Sequence, residues 1–231
     1  MIADLELTPA RCNRITVLDL YCERTGPGFW AEPVNAFTNV CFILVAWLSW
    51  RLVIREQVQD PAIVTISAMI VAIGIGSFLF HTVASRLTHW LDIAPVFVFQ
   101  LLFLGLYSRR VIKLSWTVSV ISLLLLLVAV VISSQFADLF NGSLVYIPAL
   151  LAISILGAFH CYSHKAEPRL LLVAASLFLL SLFLRSIDIQ ICSRIELGTH
   201  FLWHILNAFV IYLAMRALIV NLSPATGSFS R

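Results

Sequence analysis

Charged side chains are scarce in this chain: Asp, Glu, Lys and Arg make up only 12% of its 231 residues. Soluble domains carry about a quarter, so a soluble globular domain is the first class to go. The ten-residue alternation of a membrane β-barrel is also missing, because the apolar residues come in continuous runs. The opening MIADLELTPARCNRITVLDL starts acidic and has no compact apolar core ending in a small-residue cleavage site. No cleaved signal peptide is expected from it. There is no low-complexity segment, no stretch polar enough for a soluble domain, and no inverted repeat or broken helix pair of the transporter kind. What remains is 61% hydrophobic, and its function is expected to lie within or just outside a bilayer.

Crossing a bilayer takes ~20 mostly apolar residues per helix. By that criterion seven runs stand out, at 34–54, 62–81, 91–107, 114–132, 144–161, 170–184 and 199–220. The separators are short and polar, among them REQVQDP, FADLFNG and SHKAEPR. The expected fold is therefore all-α and integral to the membrane, with seven transmembrane helices. Residues 1–33 form an extracytoplasmic strap, 34–222 the helical domain and 223–231 a short cytoplasmic tail.

An odd number of spans places the termini on opposite sides, and the basic residues choose between the two orientations. With the C-terminus cytoplasmic, the inner segments hold Arg51, Arg55, Arg109, Arg110, Lys113, Lys165, Arg169, Arg216 and Arg231. The outer segments then hold Arg11, Arg14, Arg24, Arg86, Arg185 and Arg194, and the loop between spans four and five has no base at all. The positive-inside rule selects N-terminus outside, C-terminus cytoplasmic. The formal charge of +3 then reflects topology, and no nucleic-acid partner is implied.

In that topology three polar clusters meet at one membrane face. Span two ends in SFLFH, span three begins near Asp92, and span seven begins with HFLWH. Ser77 and His81 are four residues apart, as are His200 and His204, so each pair points from one helix face. Three imidazoles from two helices can supply three nitrogen ligands to one zinc, whose catalytic sites commonly keep a fourth position open. Asp92 is placed to handle protons or orient a water, and Ser77 to donate to a substrate carbonyl. Ionisable groups inside spans mark function by default.

A lone histidine near a helix end is more often a packing residue than a ligand, and the chain carries its own control. His160 and His164 have the same spacing beside Lys165, at the opposite face, and read as a solvated helix terminus. His89 reads as a spare polar residue of the short outer loop.

Three blocks, DLYCERTGPGFWAEPVNAFTN (19–39), GSFLFHTVASRLTHWLDIAP (76–95) and THFLWHILNAFVIYLA (199–214), resemble the alkaline ceramidase family. That family lies within a wider group of seven-span membrane hydrolases that includes the adiponectin and progestin receptors. The resemblance implies that His81, His200 and His204 bind zinc and that Ser77 and Asp92 complete the catalytic site. It implies a ceramide substrate, an N-acyl sphingoid base cut at its amide to a fatty acid and a sphingoid base. It also implies a calcium site in the strap, with Asp19, Glu23 and Glu32 as the matching acids, although the family Asn expected near Thr25 is missing. The alternative for those acids is an outer strap held by ordinary hydrogen bonds. The resemblance further favours a Cys22–Cys192 disulfide, while Cys41 and Cys161 read as small apolar residues and Cys12 is left over.

Other readings stay open. One is a seven-span receptor or scaffold with a structural zinc, and another is a hydrolase of a different lipid amide or ester. The acyl chain is expected between helices among residues such as Phe78, Phe97, Phe99, Leu202 and Trp203, which plain packing would explain equally well. The host membrane is a bacterial inner membrane or an internal eukaryotic one, with the site near the extracytoplasmic face.

Overall fold

The fold was obtained as a computed structural model that describes residues 17–136 and 139–224. Cys12, the rest of the strap before Val17 and the tail beyond Pro224 lie outside the described residues. Among the described residues seven helices, numbered first to seventh in chain order, are long and apolar enough to cross a membrane. They are Pro33–Arg55, Pro61–Val83, Arg86–Ile112, Trp116–Ser134, Leu139–Tyr162, Leu170–Ile187 and His200–Val220. No strand occurs among the described residues, and the protein is a multi-pass membrane protein.

Local chemistry explains the helix starts. Pro33 and Pro61 stand in the first turn of their helices, where a missing N–H costs nothing and φ is already helical. The Asp60 carboxylate accepts from Ala62 N, and the Ser115 hydroxyl from Val118 N, each satisfying a donor the helix leaves free. The third helix begins at Arg86, earlier than the apolar run suggests. Ala84 turns the chain in a left-handed conformation (φ 48°), and Ser85 and Thr88 then form a reciprocal capping box. The connection between the second and third helices is thus Ala84 and Ser85 alone. His89, expected in a loop, lies instead in the first turns of a helix.

The second helix packs extensively on the third and the sixth on the seventh, while the first bridges the second and the seventh. The seventh helix is the most enclosed and the fourth the least. Leu124, Leu125, Val128 and Val131 on the fourth helix are exposed, as a lipid-facing surface requires. Exposed Trp30 and Trp90 stand at one end of the bundle and exposed Trp116 at the other, matching the interfacial belts of membrane proteins.

One close approach sets the position of Asp92. A Cβ on Gly76 would lie 2.0 Å from the carbonyl oxygen of Leu91. Only a residue without a side chain lets the second and third helices come this near, and their contact carries Asp92 to the side of Ser77.

Candidate metal centre

His81 comes from the last turn of the second helix, His200 and His204 from the first two turns of the seventh. All three are buried. Their ring centroids are 4.6 to 5.2 Å apart, and one ligand nitrogen from each lies within 4.8 Å of the others. Among the described residues this is the one group of three or more His, Cys, Asp or Glu side chains close enough to share an ion.

The partners of these rings decide which nitrogens face inward. His81 Nδ1 lies 2.5 Å from Glu32 Oε2. A carboxylate can only accept, so Nδ1 carries the proton and Nε2 keeps its lone pair. Thr38 sits 2.9 Å from His204 Nδ1, and its hydroxyl hydrogen is directed to the carbonyls of Val34 and Asn35. Its oxygen therefore accepts from the ring, leaving Nε2 of His204 as the second free donor. His81 Nε2 and His200 Nδ1 are buried with no hydrogen-bond partner. Unsatisfied buried imidazole nitrogens are costly unless something binds them, so the residues present fit a divalent metal that accepts nitrogen ligands.

Glu32 is the hub of the support. Beyond His81, it accepts from Arg24 Nε at 2.5 Å and from Asn35 Nδ2 at 3.1 Å. Arg24 also donates to the His81 carbonyl at 3.0 Å, and both members of this ion pair are almost fully buried. Burial alone would raise the Glu32 carboxyl, but the hydrogen bonds from His81 and Asn35 and the Arg24 charge hold it below the usual carboxylate range. Glu23 caps the first helix, accepting from Val34 N at 2.6 Å and Asn35 N at 2.8 Å. Its carboxyl is pushed up by burial against the pull of those amides. Asp19 is exposed. The three acids matched to a calcium site are not among the described side chains close enough to share an ion, and Glu23 and Glu32 are engaged by donors of Arg24, the first helix and His81.

Glu32→Gln is expected to weaken metal binding by roughly 10- to 100-fold, as loss of a histidine's supporting carboxylate typically does. It also leaves Arg24 buried without a counter-charge, a loss of about 3–5 kcal/mol. Metal titration and thermal unfolding of the variant check both parts, and a variant that binds metal as tightly as the wild type would remove Glu32 from this role.

The seventh helix is held by a residue the sequence does not single out. Asp188, fully buried, accepts from Thr199 N at 2.6 Å and His200 N at 2.8 Å through Oδ1, and from Cys22 N at 3.0 Å through Oδ2. Gly198 is left-handed (φ 66°), and a Cβ there would lie 2.2 Å from Asp188 Oδ1. Cys22 and Cys192 are disulfide-bonded with Cα atoms 5.4 Å apart, tying the strap to the loop before the seventh helix. Tyr21, next to Cys22, stacks on His200 with centroids 3.6 Å apart.

Ser77 and Asp92 line one chamber of about 50 Å³ together with His200 and His204. A groove of about 770 Å³ runs beside it between the third, fourth and fifth helices. Trp203 lines the chamber, Phe97 the groove, and Phe99 a deeper apolar cavity; Phe78 and Leu202 line none of the three. His89 borders both chamber and groove, a placement that its reading as a loop residue conceals.

At the opposite end the reading of His160 as a solvated terminus is corrected. The ring is fully buried, with Nδ1 against the Tyr107 hydroxyl and Nε2 donating to the carbonyls of Ala166 and Glu167 at 3.0 and 3.2 Å. It is a satisfied core histidine that pins the loop after the fifth helix, while His164 is exposed. Cys41 and Cys161 are unpaired and half-buried.

Seven membrane helices enclosing three convergent imidazoles, a carboxylate and a hydroxyl define a membrane protein with a candidate metal centre. The family described as Ceramidase matches residues 21–227. The chain belongs to that family, which places it among hydrolases acting on an amide. No curated protein and no solved structure matches the chain.

Proposed function

We propose that the protein is a zinc-dependent amidase of the membrane that cuts ceramide into a fatty acid and a sphingoid base. The observation that carries this reading is the meeting of His81, His200 and His204, with free nitrogens turned inward, beside a chamber that Ser77 and Asp92 also line. His81, His200 and His204 would hold the zinc; three protein nitrogens are the usual complement of a catalytic zinc, whereas closed structural sites use four ligands.

When bound, zinc supplies Lewis-acid polarisation of a carbonyl and acidifies water to near neutrality. The chain's own residues do the rest. Asp92 takes the proton released from the attacking water at its carboxylate and returns it to the nitrogen of the departing amine. The Ser77 hydroxyl donates to the carbonyl oxygen as negative charge develops there. Glu32 and Thr38 hold the His81 and His204 rings in the tautomer that presents Nε2. The buried positive charge beside Glu32 is that of the Arg24 guanidinium. Following the basic-residue bias of the loops, this end of the bundle is placed outside the cytoplasm.

The test is turnover of a short-chain ceramide by the purified protein before and after treatment with a zinc chelator, with zinc then restored. Hydrolysis that is lost and recovered supports the reading; hydrolysis indifferent to the chelator, or none with zinc present, contradicts it.

A further inference from the structure

A second feature of this end of the bundle takes no part in the proposed amide chemistry. Arg185 lies in the last turn of the sixth helix, within a membrane span, where a charge is expensive and points to function. Its guanidinium donates to Asn141 O at 2.5 Å, to Ser143 Oγ at 3.0 Å and to the Tyr21 hydroxyl at 3.5 Å. Its Cζ stands 5.5 Å from the Tyr146 ring and 5.6 Å from that of Trp203. All these partners are neutral. Among the described residues no carboxylate forms an ion pair with Arg185; Asp92, which shares the chamber wall, is near enough for the two charges to attract but does not touch the guanidinium.

Arg185 borders two cavities at once, the chamber beside the histidines and the 770 Å³ groove. Tyr21, His89, Gln100 and Tyr146 also line both, so the two spaces meet along one wall. Away from that wall the groove is hydrocarbon-like, lined by Phe97, Leu101, Val130 and Val145, and its volume is that of a site for a drug- or lipid-sized ligand. The groove therefore has an apolar body and a single cationic end.

We propose that this groove binds a long-chain lipid bearing a carboxylate, with Arg185 as the residue that anchors the carboxylate. A guanidinium is a planar fork of donors that matches a carboxylate and keeps its charge even when desolvated. The acyl chain then lies along the third, fourth and fifth helices, and the head group rests where groove and chamber meet. The proposal deepens the amidase reading and rests on it for biological sense, because amide cleavage releases such an acid. An N-acyl amino acid, which carries a carboxylate in its head group, would present the same chemistry as a substrate.

The experiment measures binding, so its failure is separate from a failure of turnover. Palmitic acid, hexadecanol and N-palmitoylglycine compete for a photoreactive long-chain acid on the full-length protein in neutral detergent, with the acids ionised. Wild type is expected to prefer the acids over the alcohol by roughly 10- to 100-fold, the range for hydrogen bonds to a charged group. Arg185→Gln should lose that preference and Arg185→Lys keep part of it. Any contribution from a metal at the histidines is common to all three proteins, so the difference between them reports Arg185. Preference for N-palmitoylglycine alone identifies a head-group carboxylate, and preference for palmitic acid identifies the released acid; both support the site. If Arg185→Gln does not fold, the wild type decides: acid must outcompete alcohol, and the photolabel must fall on the groove-lining residues of the third to fifth helices. Equal competition by acid and alcohol, a label elsewhere, or an unchanged preference in a folded Arg185→Gln protein overturns the proposal.

Discussion

His81→Ala is expected to lose both the bound metal and lipid-amide hydrolysis while keeping seven membrane helices. His81 is fully buried, and its Nε2 has no partner within the protein. Removing the ring leaves two nitrogen donors, both from one helix, and breaks the only link between the second and seventh helices through a shared ion. Loss of a supporting carboxylate costs about 10- to 100-fold in metal affinity, so loss of a ligand should cost more than that. The variant also strips Glu32 of one hydrogen bond, but the Arg24 and Asn35 contacts remain to hold the strap. Elemental analysis of the purified variant, alongside its helical content, checks the outcome. Full metal occupancy in His81→Ala would remove the ligand assignment.

Asp92→Asn separates proton transfer from metal binding. The amide is the same shape as the carboxylate, so the close approach of the second and third helices at Gly76 is preserved. It cannot take a proton from water at neutral pH. Positioned general bases contribute about 10²- to 10⁴-fold, and a fall of that size in kcat is expected with metal content unchanged. A fully active Asp92→Asn protein would move the role of base to another group.

The features legible in the sequence are those with a short-range signature. A run of some twenty apolar residues has few alternatives to a spanning helix, and all seven runs lie within a few residues of the observed helices. The His200/His204 spacing puts both rings on one helix face whatever surrounds them, and the short hairpin from His81 to Asp92 keeps those two at one end of the bundle. The apolar run of the third helix starts too late because polar Arg86, Thr88 and His89 interrupt the pattern, whereas the capping box that starts the helix there is a backbone device.

The supporting network is illegible for a different reason: it is made through space. Asp188 reaches Thr199 and His200 across a turn of the loop and Cys22 across most of the chain, and nothing in IDIQIC announces this. Glu32 matches a calcium acid through its neighbours in sequence, but in space its neighbours are Arg24 and His81. In the sequence Arg185 counts as one unit of topological charge, and only the fold shows that it faces a cavity. His160 and His204 share a spacing with their partner histidines, and it is the surroundings that separate them. One meets a tyrosine and two carbonyls, the other two more imidazoles.

The most direct test of the central claim is the X-ray absorption spectrum of zinc in the purified protein. One zinc per chain, with three imidazole nitrogens at ~2.0–2.1 Å and no sulfur in the first coordination sphere, is the result expected of His81, His200 and His204. Zinc bound through cysteine sulfur, or a spectrum left unchanged when His81 is replaced, would contradict it.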